Sequence, residues 1–280
     1  MQLKDLIQQM IQKKSFLCVG LDTEVIKLPK HLQLQPNAVL KFNKAIIDAT
    51  KEYCVSYKLN TAFYEAMGVK GWDILEATLQ YIPSSHFTIA DAKRGDIGNT
   101  AAQYARTFFE VLPFDAVTVA PYMGEDSIRP FLEYQHKTTI VLGLTSNKSS
   151  NDFEQLWVQE TSNLIHSRPS KKLYEIVIEK VAGWGSPQQL MFVVGATKPE
   201  EMQQIRNIVP DYFFLVPGVG AQGGSLNDVA TNGWAKNIGL LINVSRGIIY
   251  ADSTEQFQQA AAKEASQYQL AMQQILEKKL

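Results

Sequence analysis

Asp91, Lys93 and Asp96 stand within six residues of one another in DAKRGDIGN (91–99), directly after the apolar run Phe87–Thr88–Ile89–Ala90. A solvated charge cluster would account for such a stretch. So would a strand that delivers acids and a base to one buried point, where opposite charges tune one another and a lysine does the chemistry. On a strand, residues two apart project to the same side, so Asp91 and Lys93 are expected to be neighbours. Asp96 follows Gly95, where a turn can carry it elsewhere, including across an interface. Lys58 adds a second cation, and an alternating Lys–Asp–Lys–Asp network would hold its members charged by mutual attraction.

The same logic collects the other polar residues that end apolar runs. Asp22 closes FLCVGLD (16–22), Lys58 and Asn60 close VSYKLN (55–60), Thr145 and Ser146 close TTIVLGLTS (138–146), and Arg246 lies in GLLINVSRG (239–247). The glycine-rich stretch PGVGAQGGS (217–225) contains Gly220, Gln222 and Gly223. Its backbone amides can approach an anion closely. Gln222 offers an amide donor, while Arg246, followed by Gly247, offers a planar fork suited to phosphate. A lone strand-end charge is more often half of a surface ion pair than a functional group. Recurrence at so many strand ends favours a shared site.

Positioning those residues requires many strands with a common direction. Four further runs, FTIADAK (87–93), AVTVAP (116–121), MFVVGAT (191–197) and FFLVPGVG (213–220), bring the count to eight. Their near-continuous apolar character implies burial on both faces, as in parallel sheets covered by helices. Helical spacing recurs between them. Asn99–Leu112 carries Ala102, Ala105, Phe108, Phe109 and Leu112, and Ser253 is expected to cap a last helix with Phe257, Ala261, Ala265, Tyr268, Met272 and Ile275 on one stripe. Eight βα units predict a single-domain α/β protein, a (β/α)8 TIM barrel over residues 1–280, with an open doubly wound sheet as the alternative. In such a barrel the C-terminal strand ends form the active mouth, and the loops after strands 7 and 8 hold phosphate. The Ser-, Asn- and Lys-rich segment 146–172 after the fifth strand is expected to be either a lid over that mouth or a surface excursion.

Bulk properties narrow the functional classes. Lys plus Arg total 27 against 28 Asp plus Glu, so no basic excess points to nucleic acid. The longest apolar runs fall short of the roughly 18 to 20 residues needed to cross a bilayer. The first 15 residues show amphipathic helical spacing rather than a signal-peptide core, which predicts a cytoplasmic protein. Cys18 and Cys54 are expected to be buried structural thiols, and His31, His86, His136 and His166 show no metal-ligand spacing.

From GLD (20–22) to SRGIIYA (245–251) the chain resembles the orotidine 5′-phosphate decarboxylase family, and its length and PGVGAQGG segment are similar to the longer bacterial branch. DAKRGDIGNTAAQYA is the most specific part, an Asp-x-Lys-x-x-Asp element followed by Ile and a helix of small residues. The resemblance implies cofactor-independent decarboxylation of orotidine 5′-monophosphate to UMP. It implies Lys93 as proton donor to C6 of the pyrimidine and Asp91 as the group facing the substrate carboxylate. By the same likeness Lys58 and Asp22 would bind ribose hydroxyls, and Asp96 and Thr100 would reach the partner's site in a homodimer. Ser146 or Thr145 would contact the base, while Gln222 and Arg246 would grip the phosphate. Three alternatives stay open: a Mg²⁺-dependent sugar-phosphate decarboxylase of the same superfamily, a Schiff-base aldolase using Lys93 or Lys58, and a barrel that binds without catalysing. Schiff-base chemistry needs an uncharged lysine, which flanking carboxylates oppose.

Overall fold

The computed structural model describes residues 1–159, 170–220 and 223–280. Eight strands run parallel: β1 Leu17–Gly20, β2 Ser56–Asn60, β3 Phe87–Arg94, β4 Ala116–Val119, β5 Thr138–Leu144, β6 Leu190–Val194, β7 Phe213–Pro217 and β8 Leu240–Val244. Each pairs with its neighbours in sequence, and β1 pairs with β8, so the sheet closes into the expected (β/α)8 barrel. Closure removes the sheet edge and buries the strands almost completely. Every residue of β1, β4, β6 and β8 is buried.

Register decides which side chains enter the barrel. Gly20 pairs with Lys58, which pairs with Ile89, and one step below Cys18 lies between Ser56 and Asn243. The alternate set points outward: the Tyr57 hydroxyl bonds to Thr50 and to the carbonyl of Ile47, both on the helix Ala38–Thr50. Lys58 therefore points inward because Tyr57 points outward. Both thiols are buried and unpaired, and burial pushes them up, Cys18 to about 12 and Cys54 to about 11.

Two expectations about helices need adjustment. The 99–112 segment is α-helical over Gly98–Arg106 and then widens into a π-helical turn over Thr107–Val111. The last helix spans Phe257–Lys279 with Gln256, not Ser253, at its N-cap. The reason is local. Asp252 Oδ1 accepts from the Thr254 N–H and Thr254 Oγ1 accepts from the Gln256 N–H, so the chain makes one more turn before the helix starts.

The insertion after β5 is described except for 160–169. A 3₁₀ turn at Lys148–Asp152 is followed by Trp157–Val158, which pairs antiparallel with Lys171–Lys172. Its root is held to the barrel mouth. Glu154 accepts from both the N–H and the hydroxyl of Thr145, and Lys198 donates to Ser150.

Candidate active site

At the C-terminal end of the barrel, β1, β2 and β3 bring together the predicted charges. Lys58 Nζ donates to Asp91 Oδ2 at 2.9 Å and to Asp22 Oδ1 at 3.2 Å. Lys93 Nζ forms an ion pair with the other oxygen of Asp91, which also accepts from the Thr118 hydroxyl at 3.0 Å. Burial alone would raise the Asp91 carboxyl, but Lys58 and Lys93 outweigh it and hold the group well below the usual carboxylate range. Burial alone would likewise lower the Lys58 ammonium, and Asp22 and Asp91 instead keep it above the ordinary lysine value. The two lysines differ in access: the Lys58 side chain is 5% exposed and that of Lys93 is 48% exposed. Lys58 is built into the wall, whereas Lys93 faces open space.

Asp91 and Lys93 meet as expected, but not by simple strand alternation. Pairing between β3 and β4 slips between Ala90 and Arg94, and Lys93 has φ 46°, in the left-handed region. The bulge re-aims the lysine toward the mouth. Arg94, next in the chain, turns the other way. It pairs with Glu65 and lies over the rings of Tyr104 and Phe108, tying the end of β3 to two neighbouring helices.

The charged group forms one side of a cavity of about 450 Å³. Leu142, Val193, Leu215 and Pro217, from β5, β6 and β7, make an apolar wall, and Arg246 stands on the rim after β8. A flat ring can lie on such a wall while an attached anion reaches Arg246 and hydroxyls meet the charged side. Among the described residues no three His, Cys, Asp or Glu side chains are grouped so as to hold a metal ion.

Asp22, Lys58, Asn60, Asp91, Lys93, Thr145, Ser146, Arg246 and Gly247 all line this cavity. Asn60 also caps the helix Thr61–Glu65 through the Ala62 N–H. Thr145 is turned toward the insertion, its hydroxyl bonded to Glu154 and Asn147. The backbone of Ser146 runs so close to Gly195 that a Cβ there would lie 2.9 Å from it. Gly220 and Gly223 stand outside the cavity wall, and their amides are used within the loop, bonded to the carbonyls of Gly224 and Gly220. Gln222 lies outside the described residues. Asp96 and Thr100 are not in this chain's cavity: Thr100 is exposed, and Asp96 accepts the N–H of Ile97.

Five polar residues of the site escaped the sequence reading. Thr118 bonds Asp91, while Glu24, Asn147, Asn243 and Ser245 line the cavity, the last two with Oδ1 and Oγ buried and unpartnered. The signal for Asn243 is a lone amide inside the otherwise apolar LLINV, one residue before the end of the strand.

A profile of the orotidine 5′-phosphate decarboxylase / HUMPS family matches residues 15–261. A protein of Phocaeicola vulgatus named orotidine 5′-phosphate decarboxylase is 52% identical over 99% of both chains. One of the same name from Porphyromonas gingivalis is 54% identical over 98% of this chain and 97% of its own. The structure of Leishmania donovani OMP decarboxylase superposes with a TM-score of 0.81 at 37% identity, covering 98% of this chain and 99% of that one. By its barrel, its charged mouth and these relatives, the chain belongs to the orotidine 5′-phosphate decarboxylase / HUMPS family.

Proposed function

We infer that this protein converts orotidine 5′-monophosphate to UMP and CO₂, the last step of pyrimidine nucleotide synthesis. The observation that carries the reading is the Asp91 carboxylate fixed between two ammonium groups, one walled in and one open to the cavity. In the reaction the bond from C6 to the carboxylate breaks and CO₂ leaves. The electron pair stays at C6, and a proton from Lys93 Nζ forms the new C–H bond; solvent returns the proton to the amine. Lys93 thus supplies both positive charge beside the carbanion and the proton that quenches it. Asp91, kept ionised by its neighbours, faces the substrate carboxylate and disfavours its charge, an interaction that ends when neutral CO₂ forms. Arg246 holds the phosphate, and binding that remote group orients the ring. Lys58 and Asp22 hold ribose hydroxyls, with Asn60 at the same wall, and Ser146 meets the base. In this reading the enzyme is cytoplasmic and needs no cofactor. The glycine-rich loop with Gln222 completes the phosphate end.

EDTA-treated protein should consume orotidine 5′-monophosphate, followed as loss of pyrimidine absorbance. No turnover, or turnover only after Mg²⁺ is restored, would favour the metal-dependent relatives instead.

The reading extends to a homodimer in which Asp96 and Thr100 act in the partner's site. What supports it is their position on the exposed turn and helix start after Gly95, outside their own cavity. Homodimers of Lys93→Ala and of Asp96→Ala should each be nearly inactive. With random subunit exchange, mixing them should restore about a quarter of wild-type activity, because a two-fold interface puts both defects in one site and leaves the other native. Verified heterodimers without recovery would confine Asp96 to its own subunit.

A further inference from the structure

Thr118 lies inside β4, wholly buried, and its hydroxyl makes two bonds that meet at the reacting end of β3. Oγ1 accepts the backbone N–H of Lys93 at 2.9 Å and donates to Asp91 Oδ1 at 3.0 Å. A hydroxyl has one proton and two lone pairs, so both bonds form without competition. They fall where the backbone is least regular. The β3–β4 ladder is interrupted between Ala90 and Arg94, and Lys93 takes a left-handed φ of 46° that side-chain-bearing residues seldom adopt. With the ladder broken, the Lys93 N–H is satisfied by this side chain. The Asp91 carboxylate is then held at both oxygens, Oδ2 by Lys58 and Oδ1 by Thr118 and Lys93. The strand itself does not call for a hydroxyl at this position, since valine has the same shape and a β-propensity at least as high.

We propose that Thr118 is a positioning residue for decarboxylation: its hydroxyl locks the Asp91 carboxylate and the bulged backbone at Lys93 into one geometry, and so sets the line along which Lys93 Nζ enters the cavity. The inference rests on the reading that Lys93 and Asp91 act on the substrate. A merely structural threonine would affect folding and leave the chemical step of the folded enzyme intact. Thr118 as a positioning residue affects the chemical step first, because a misplacement of about 1 Å at a reacting group costs about 100-fold in rate.

Thr118→Val, Thr118→Ser and Lys93→Ala are compared for kcat, for Kd of UMP and for thermal midpoint. Thr118→Val should lower kcat by about 10- to 100-fold while its affinity for UMP stays within about threefold. Thr118→Ser, which keeps the hydroxyl, should recover kcat to within about fivefold of wild type. Wild-type kcat in Thr118→Val, a loss of UMP affinity as large as the loss of kcat, or Ser no better than Val would each overturn the proposal. Lys93→Ala separates the two layers. If that variant turns over normally, the underlying reading fails whatever Thr118 does. If it is inactive while Thr118→Val is normal, only the positioning role fails. Should Thr118→Val not fold, Thr118→Cys replaces the hydroxyl by a weak donor in nearly the same volume, and Ser should exceed it in kcat by about tenfold. Equal values for Ser and Cys would again overturn the proposal.

Discussion

The barrel encloses lysine ammonium groups at both of its ends and treats them in opposite ways. At the mouth, Lys58 is flanked by Asp22 and Asp91, and the carboxylates outweigh burial to keep it charged. At the opposite end, Lys13 forms no ion pair among the described residues, and Glu52 acts on it only from a distance. Its Nζ donates to the carbonyls of Lys51 and Cys54, at 2.6 and 3.1 Å, and lies 3.0 Å from His86 Nε2, and burial lowers it below the usual lysine value. In the proposed mechanism the first arrangement concentrates charge where the negative centre forms. The second ties the segments that enter β1, β2 and β3, which is a structural task. Charged groups at the C-terminal face of such barrels serve chemistry, and those at the N-terminal face serve stability.

Removing Lys93 should produce the largest effect. Lys93→Ala is expected to lower kcat by about four orders of magnitude or more, because proton donation and charge stabilisation are lost together. UMP binding should remain measurable by calorimetry. Turnover near wild type would erase the contrast between the two ends.

Arg246→Ala tests the rim of the mouth. It should weaken UMP by about 10- to 100-fold and leave uridine nearly unchanged, since only the nucleotide loses a charge-assisted bond. Equal losses for both ligands would place Arg246 away from the phosphate.

The opposite end should be visible in pH-dependent stability rather than in rate. Burial, reinforced by Lys13, holds the His86 imidazole down to about 4, so the fold carries it neutral. The unfolded chain takes up a proton below about pH 6.5. More protons bound in the unfolded state means that stability falls as pH drops from about 6.5 toward 4, by on the order of 2 kcal/mol. Asp91 works in a lower window, because its depressed carboxyl contributes stability that is lost only below the unfolded carboxylate value of about 4. Urea midpoints of wild type and His86→Phe across this range should diverge; parallel curves would remove His86 from the balance.

The smallest expected change is Lys13→Met. The carbonyls of Lys51 and Cys54 lose a shared donor, which should lower the thermal midpoint by about 3–6 °C. A kcat within twofold of wild type should accompany it, and a large fall in kcat would deny the division of labour between the ends.

The strands and charges were legible for one reason: each acid or base interrupts an apolar run near its C-terminal end, and the fold turns those ends into one mouth. Lys58 inside VSYKLN has little reason to be there unless it meets carboxylates. Thr118 was silent because threonine is an ordinary strand residue, and only the break in the β3–β4 ladder gives its hydroxyl a task. The glycine-rich loop shows a different limit. Composition suggested amides free for an anion, whereas those of Gly220, Gly223 and Gly224 bond to carbonyls within the loop. Which amides a turn consumes depends on its dihedral angles, and several turns suit the same glycines. Asp96 shows a third limit, since a residue that points out of its own cavity acquires meaning only from whatever lies opposite.

The seam between β1 and β8 has a consequence for how the protein is made. Asp22 follows the first strand and Arg246 the last, and Gly20 leaves the space into which Asn243 and Ser245 fit when those strands join. While β8 is still inside the ribosome, β1 to β3 are already available to gather Lys58, Asp91 and Asp22, yet the barrel is open along one side and its rim cation is missing. The mouth therefore closes, and any stabilisation by a bound ligand begins, only once β8 has emerged. The first and last strands must pair across almost the whole chain, a contact of the kind that slows folding and exposes unpaired edges meanwhile.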